Sequence, residues 1–154
     1  HEMASTRRVL ACVPADKLGW RPHPRSRTFG ALAAHISAIT FWSAHILERE
    51  AFDLDDAAPV AEAPAASMPA VLQQFTDGVA LGRRLLDRSE AELQAMWALR
   101  QAGQPLFAMP RAAAFRTFVL GHVVHHRGQL SVYLRLNDIP VPPIYGPSAD
   151  SRRI

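Results

Sequence analysis

Cysteine, lysine and long apolar runs are all scarce in this sequence of 154 residues. Cys12 is the single cysteine, so no internal disulfide framework is possible, and a reducing, cytoplasmic setting is expected. No apolar run reaches the ~20 residues that a membrane-spanning helix needs, and no secretory signal pattern is present. We therefore expect a cytoplasmic protein without a membrane partner. Because the chain begins at His1 rather than at Met, we also expect further residues upstream.

Neither sign of charge dominates the sequence. Its 17 Lys and Arg residues, of which Lys17 is the only lysine, and its 14 Asp and Glu residues give a formal net charge of +3. A nucleic-acid-binding domain usually concentrates its positive charge in a stripe or patch. The arginines here fall instead in dispersed groups, among them Arg7/Arg8, Arg21/Arg25/Arg27 and Arg152/Arg153. We therefore expect no nucleic-acid partner.

Apolar residues recur with helical rather than strand spacing. A hydrophobic content of 49% and a charged content of 20% are typical of a soluble globular protein, and the length suits one domain over residues 1–154. The predicted helices are 2–13, 29–49, 67–87, a short one over 89–99, and 110–137. The predicted connections are 14–27, a flexible 52–67, an irregular 100–109 and an extended Pro-rich tail over 138–154. This pattern predicts an all-α bundle.

The predicted helix over residues 110–137 carries two histidines one turn apart. At about 100° per residue, eight of its side chains share one stripe: Phe115, Phe118, Val119, His122, His126, Gln129, Tyr133 and Leu136. His122 and His126 lie in the middle of that stripe, and an i, i+4 pair is close enough to bind one metal ion. His125 lies about 60° from His122 on the other side, so an i, i+3 pair of these two is the alternative.

A third histidine, His35, lies on the apolar stripe of the second predicted helix. Metal sites in helical bundles are built from side chains that face one another across helices, so His35, His122 and His126 are the candidate ligands. Three protein ligands and one open position are typical of a catalytic metal site, whereas structural zinc sites are usually closed by four. No carboxylate ligand is evident. The alternative is that the three histidines are hydrogen-bonded core residues that bind no metal.

No catalytic residue is evident beside these candidate ligands. Trp42 lies on the stripe of the second helix, where it would wall a pocket or pack in the core. Gln129 and Tyr133 continue the histidine stripe of the long helix; Gln129 can only hydrogen-bond, and Tyr133 would orient a substrate or pack. Arg127 lies about 140° from His122, so we expect it to face away from the metal and to form an ion pair or cap the C-terminal tail.

Two stretches of the sequence resemble the DinB-like (YfiT-like) metalloenzyme superfamily. They are residues 6–36, TRRVLACVPADKLGWRPHPRSRTFGALAAHI, and residues 121–150, GHVVHHRGQLSVYLRLNDIPVPPIYGPSAD. The resemblance implies an up-down four-helix bundle, often a homodimer, with one divalent metal ion, nickel or zinc. The family's upstream histidine falls on His35, and the first and last histidines of its H-x-x-H-H string fall on His122 and His126. His125 is left with a role beside the site or on the surface.

The resemblance also implies a function. Relatives include thiol transferases that use bacillithiol or mycothiol and a mycothiol-dependent isomerase, so a low-molecular-weight thiol is a candidate cofactor. We expect a metal-dependent enzyme, either a hydrolase or a thiol S-transferase, acting on a small molecule. The alternative is a non-catalytic, metal-stabilised bundle that binds a small ligand or responds to stress. A homodimer is expected from the resemblance and from four apolar residues outside the histidine stripe. These are Leu120, Val124, Leu130 and Leu134. The alternative is that some of them cover the C-terminal tail.

Overall fold

α-Helices and one three-stranded sheet make up the computed structural model, which describes residues 1–56 and 67–151. The helices are α1 (Glu2–Leu10), α2 (Phe29–Ile39), α3 (Trp42–Leu47), α4 (Met68–Leu85), α5 (Glu90–Gln94), α6 (Arg111–Phe115) and α7 (His122–Leu136). The strands are β1 (Ala51–Asp53), β2 (Met96–Gln101) and β3 (Gln104–Pro110). Short 3-10 turns lie at Ala15–Lys17 and Leu54–Asp56, and a π-helix, Arg116–Gly121, joins α6 to α7.

The sheet corrects the predicted fold class: the protein is mixed α/β, and the expected all-α four-helix bundle is wrong. The strands lie in the order β1-β2-β3, with β1 parallel to β2 and β2 antiparallel to β3. Phe52 of β1 lies opposite Leu99 of β2, which lies opposite Phe107 of β3. Residues 96–109, predicted to be the end of a short helix and an irregular connection, thus form a hairpin together with Pro110, the predicted start of the long helix.

Turn chemistry and alternating burial explain this hairpin. Ala102 and Gly103 have φ of 50° and 74°, which is the backbone conformation that a two-residue hairpin turn of type I′ requires. Their backbone N–H groups donate to the carboxylates of Asp55 and Asp53, at 3.1 and 2.7 Å. Alternate residues at the start of β2 are buried, as expected of a strand. Pro105 interrupts the sequence pattern but is tolerated because β3 is an edge strand.

The first apolar cluster lies where α1, α2, α4 and α7 pack against one another. Its largest fully buried side chains are Leu10, Phe29, Leu32, Ile36, Ile39, Phe75, Leu130 and Leu134. Burial of each such side chain stabilises the fold by about 1.5–3 kcal/mol. This cluster holds α2 against α7, the two helices that carry the candidate ligands.

The apolar residues proposed for a dimer surface do not share one environment. Leu130 and Leu134 are fully buried in the first cluster, so they are not available to a partner. Leu120 and Val124 are half-buried. A homodimer stays a prediction, and of the four residues named for it only Leu120 and Val124 are accessible to a partner.

A second apolar cluster lies between the sheet and the helices α3 and α6. Trp97 of β2 is fully buried in it, and its indole N–H donates to the backbone carbonyl of His45 at 3.0 Å. On α3, the ring of His45 packs against Phe52 of β1, with 4.5 Å between the centroids. The sheet therefore covers the end of the α2–α3 segment that lies away from His35.

The helix predicted over residues 110–137 contains the π-helix and turns a different face to the core. Its fully or nearly fully buried row is Val119, Val123, Arg127, Leu130 and Leu134. His122 and His126 are half-buried, so they lie at the margin of the buried face rather than in its middle. This buried face is hard to predict from the sequence because a charged residue, Arg127, lies at its centre.

Arg127 is only 1% exposed, and its partners lie on two other segments. Its guanidinium forms an ion pair with Glu2 of α1, with 2.8 Å between Nη2 and Oε2. It also donates to the hydroxyl of Tyr145 at 2.6 Å, and Tyr145 donates in turn to the Glu2 carboxylate at 2.9 Å. The predicted ion pair is therefore present, and it ties α7 to α1 and to the C-terminal segment.

The C-terminal segment, residues 138–151, contains no helix or strand. Its apolar side chains Ile139, Val141 and Ile144 pack against the first cluster, and Arg8 of α1 donates to the carbonyl of Pro143 at 3.1 Å. The segment thus lies along the helices as an extended strap. Residues 152–154 of the predicted tail, and residues 57–66 of the predicted flexible connection, lie outside the described residues.

One helical stretch, Phe29–Leu47, is long and apolar enough to cross a membrane by length and composition. It comprises α2 and α3, and 61% of the window that passes this test is buried inside the protein. The core helix of a soluble protein passes the same test, so the stretch is weak evidence for a membrane span.

Candidate metal centre

Three imidazoles converge where α2 faces α7. His35 lies past the middle of α2, and His122 and His126 lie one turn apart at the start of α7. One ring nitrogen from each lies within 4.8 Å of the other two, and the Nε2 atoms of His35 and His122 are 3.4 Å apart. The ring centroid of His126 lies 4.6 Å from that of His35 and 4.7 Å from that of His122. The structure therefore brings together the three residues that the sequence grouped.

The donor set and its spacing suit one divalent metal ion. Zinc–nitrogen bonds are about 2.0–2.1 Å long, so two nitrogens on one tetrahedral ion lie about 3.3 Å apart. The 3.4 Å between the Nε2 atoms of His35 and His122 is close to that distance, and the nitrogen of His126 lies within 4.8 Å of both rings' nitrogens. Three histidine ligands leave one coordination position for a further ligand.

Burial keeps the three imidazoles neutral. It lowers the pKa of His35 to about 4, and the positive charge of Arg27 and the other two imidazoles act in the same direction. Burial is also the largest cause of the lowered pKa values of His122 and His126. At neutral pH each ring therefore has a free nitrogen lone pair, which is the form of histidine that binds metals.

Among the three predicted pocket residues, Gln129 contacts the histidine cluster directly. Its Oε1 lies 2.7 Å from Nδ1 of His126. Tyr133 is buried, and its hydroxyl donates to the backbone carbonyl of Arg27 at 3.1 Å. Its ring packs edge-on against Phe29, with 5.5 Å between the centroids. Tyr133 therefore holds the chain segment that leads into α2.

The structure places the third predicted pocket residue, Trp42, in the second apolar cluster. Within the described part of the chain, its ring contacts are with His45, Phe52 and Phe118. His125, the alternative partner of His122, is exposed, and its ring centroid lies 4.9 Å from that of His126. His125 is therefore beside the cluster and outside the group of converging nitrogens.

Arg27 is the charged residue near the site that sequence reasoning missed. Its positive charge contributes to the lowered pKa of all three clustered histidines. It directly precedes Thr28, whose Oγ1 accepts from the N–H of Ala31 at 3.2 Å and so caps α2. This cap fixes the start of the helix that carries His35, and Arg27 therefore lies immediately before that helix.

Comparisons with known proteins found one matching family model and similar solved structures. A family model described as the DinB superfamily matches residues 2–130. A DinB-like protein from Bacillus cereus ATCC 10987 is 20% identical, with a TM-score of 0.72 over 94% of this chain and 91% of that chain. A DinB-like protein from Bacillus subtilis, YjoA, is 18% identical, with a TM-score of 0.70 over 94% and 92%. At these identities the structures show a shared fold alone. No curated protein matches the chain.

Proposed function

The chain belongs to the DinB superfamily, and from that premise we propose that it is a metal-dependent enzyme acting on a small molecule. The observation that carries the proposal is the convergence of three imidazole nitrogens within 4.8 Å. A hydrogen bond between two imidazoles explains the approach of His35 to His122, whereas a shared ion also explains why a nitrogen of His126 joins them. His35, His122 and His126 are therefore assigned as ligands of one divalent ion.

Nickel or zinc is the metal that we propose. Imidazole is a good ligand for both ions, and both stand near the top of the general affinity order for divalent metals. Cysteine thiolates, which would favour zinc more strongly, are absent from the cluster. The neutral nitrogen set thus supports the metal without choosing between the two ions.

The reaction that we propose is either hydrolysis or transfer to a low-molecular-weight thiol. A divalent ion at this position would supply Lewis acidity, which lowers the pKa of a bound water or thiol. The protein's own thiol is a poor candidate for the nucleophile. Burial raises the pKa of Cys12, and its Sγ donates to the carbonyl of Arg8 at 3.3 Å. A thiol that takes part in the reaction would therefore come from a cofactor.

A cytoplasmic location and a homodimer belong to the same proposal. The single cysteine supports a reducing compartment. The half-buried side chains of Leu120 and Val124 leave apolar surface on the long helix that a second copy would cover.

Elemental analysis of protein purified without a metal-affinity step tests the metal site. We expect about one equivalent of a divalent metal, as for a mononuclear site, in the wild type and none in His126→Ala. A screen with thiol cofactors and with ester or amide substrates then tests turnover. Metal and ligand binding without turnover would indicate the non-catalytic alternative. A protein that neither contains metal nor gains thermal stability from added metals would overturn the proposal.

A further inference from the structure

The hydrogen bond between Gln129 and His126 determines which nitrogen of the imidazole carries a proton. Oε1 of Gln129 lies 2.7 Å from Nδ1 of His126. A carbonyl oxygen can only accept, so Nδ1 must be the donor. A neutral imidazole has one N–H and one lone pair, and the lone pair of His126 therefore lies on Nε2.

His122, the other ligand on α7, has a comparable arrangement. The backbone carbonyl of Phe118, in the π-helix Arg116–Gly121, raises the pKa of His122 and partly offsets the effect of burial. Nε2 of His122 is the atom that faces Nε2 of His35, at 3.4 Å. A group from the same long helix, the side-chain amide of Gln129, thus holds the other histidine of α7, His126.

We propose that Gln129 is a positioning residue, which holds His126 with its proton on Nδ1 and so presents Nε2 to the metal. The inference rests on the proposed metal site, and it specifies how one ligand is oriented there. Without an acceptor at Nδ1, a half-buried imidazole can rotate about χ2 and place its proton on either nitrogen. Metal-binding histidines generally donate their second N–H to an acceptor of this kind, which also makes them stronger ligands.

Two substitutions at this position separate the hydrogen bond from the side chain's bulk. Gln129→Met removes the acceptor and keeps the length of the side chain, whereas Gln129→Glu restores an acceptor oxygen. Gln73→Met is the matched control, because Gln73 is an exposed glutamine of α4 that also makes a side-chain hydrogen bond, to Asp77 at 2.9 Å. The first measurement is the affinity for Zn²⁺ alone, by competition with a chelator.

We expect Gln129→Met to bind Zn²⁺ about 10- to 100-fold more weakly, the usual effect of removing such a partner. Gln129→Glu should bind at least as tightly as the wild type, and Gln73→Met should be unchanged. Equal Zn²⁺ affinity in Gln129→Met and the wild type would overturn the inference.

A second measurement keeps the inference testable without metal. Nitrogen NMR of the metal-free protein reports which nitrogen of His126 is protonated. We expect Nδ1–H in the wild type and in Gln129→Glu, and a mixture in Gln129→Met. If the wild type binds no metal, the proposed function fails, yet the change in this tautomer still supports the positioning role of Gln129. The same tautomer in all three proteins would overturn that role.

Discussion

Histidines occupy two different half-buried environments along the α2–α3 segment. His35 faces α7 and lies within a group of three converging imidazoles. His45, ten residues on, faces the sheet, where its ring packs against Phe52 at 4.5 Å. Its Nδ1 has no hydrogen-bond partner among the described residues. Burial is the largest cause of the lowered pKa of both residues. A lowered pKa therefore does not distinguish a candidate ligand from a packed histidine, whereas the element opposite the ring does.

The element opposite each histidine follows from the packing of the two clusters. α7 packs against α2 in the first cluster and contributes two imidazoles. The sheet packs against α3 in the second cluster and contributes aromatic side chains. The phenyl and indole rings around His45 have no lone pair to donate to a metal ion. An ion bound to His45 would therefore lack further ligands from these side chains. The comparison thus predicts that only one of the two environments responds to metal.

Of the effects predicted here, the stabilisation by added metal should differ most between variants of His45 and variants of the three-histidine group. A ligand at 100 times its dissociation constant stabilises the folded state by about 2.7 kcal/mol, which raises the melting temperature of a protein of this size by about 5–10 °C. We expect this shift in the wild type and in His45→Leu, and no shift in His126→Ala. Thermal denaturation with and without Zn²⁺ measures it. An equal shift in all three proteins would mean that the metal binds elsewhere.

Acid should destabilise the metal-free protein, mainly through the cluster. The pKa of His35 is about 4 in the folded protein, below the ordinary histidine value of 6.5. The unfolded chain therefore binds more protons between these values, and the free energy of unfolding falls as pH decreases from about 6.5 towards 4. Above that window it should be nearly constant.

Replacement of His35 or of His45 shows how much of this acid-induced loss of stability comes from each of the two histidines. His35→Gln should reduce the loss of stability between pH 7 and pH 5 by on the order of 1 kcal/mol, once screening of a half-exposed group is included. His45→Gln should reduce it less. Urea denaturation of the metal-free proteins at the two pH values measures the difference. If His45→Gln reduced the acid-induced loss of stability more than His35→Gln does, His45 rather than His35 would have the more strongly lowered pKa.

The candidate ligands could be found in the sequence because their signal is local. Two histidines at i, i+4 must share a helix face. A third histidine on the apolar stripe of another helix packs against one of the few other apolar helix faces in a small protein. The buried face of the long helix could not be found in the same way. Arg127 is charged, and its burial depends on Glu2 and Tyr145, which lie far away in the sequence. Only the folded chain brings these partners together.

The sheet was missed for a related reason. Three residues of β1 pair with β2 across more than forty residues of sequence, and no local pattern reports such a contact. Gly103 and Pro105 favour an irregular connection, whereas the turn at Ala102 and Gly103 is held by the distant carboxylates of Asp55 and Asp53. Local periodicity therefore located the longer helical segments but missed the break between α2 and α3 and the strand after α5. It failed where distant segments decide the structure.

Removal of the unpartnered nitrogen of His45 should give the smallest effect. A buried polar atom without a partner costs about 1–3 kcal/mol, and the side chain of His45 is only half-buried. We therefore expect His45→Leu to raise the stability of the metal-free protein by less than about 1 kcal/mol, or roughly 1–3 °C in melting temperature. His125→Leu, at an exposed histidine, is the control and should show no gain. A loss of stability in His45→Leu would mean that the imidazole of His45 has a polar partner in solution. His35 and His45 would then differ in the kind of partner that each has, and His45 would no longer be the histidine that lacks one.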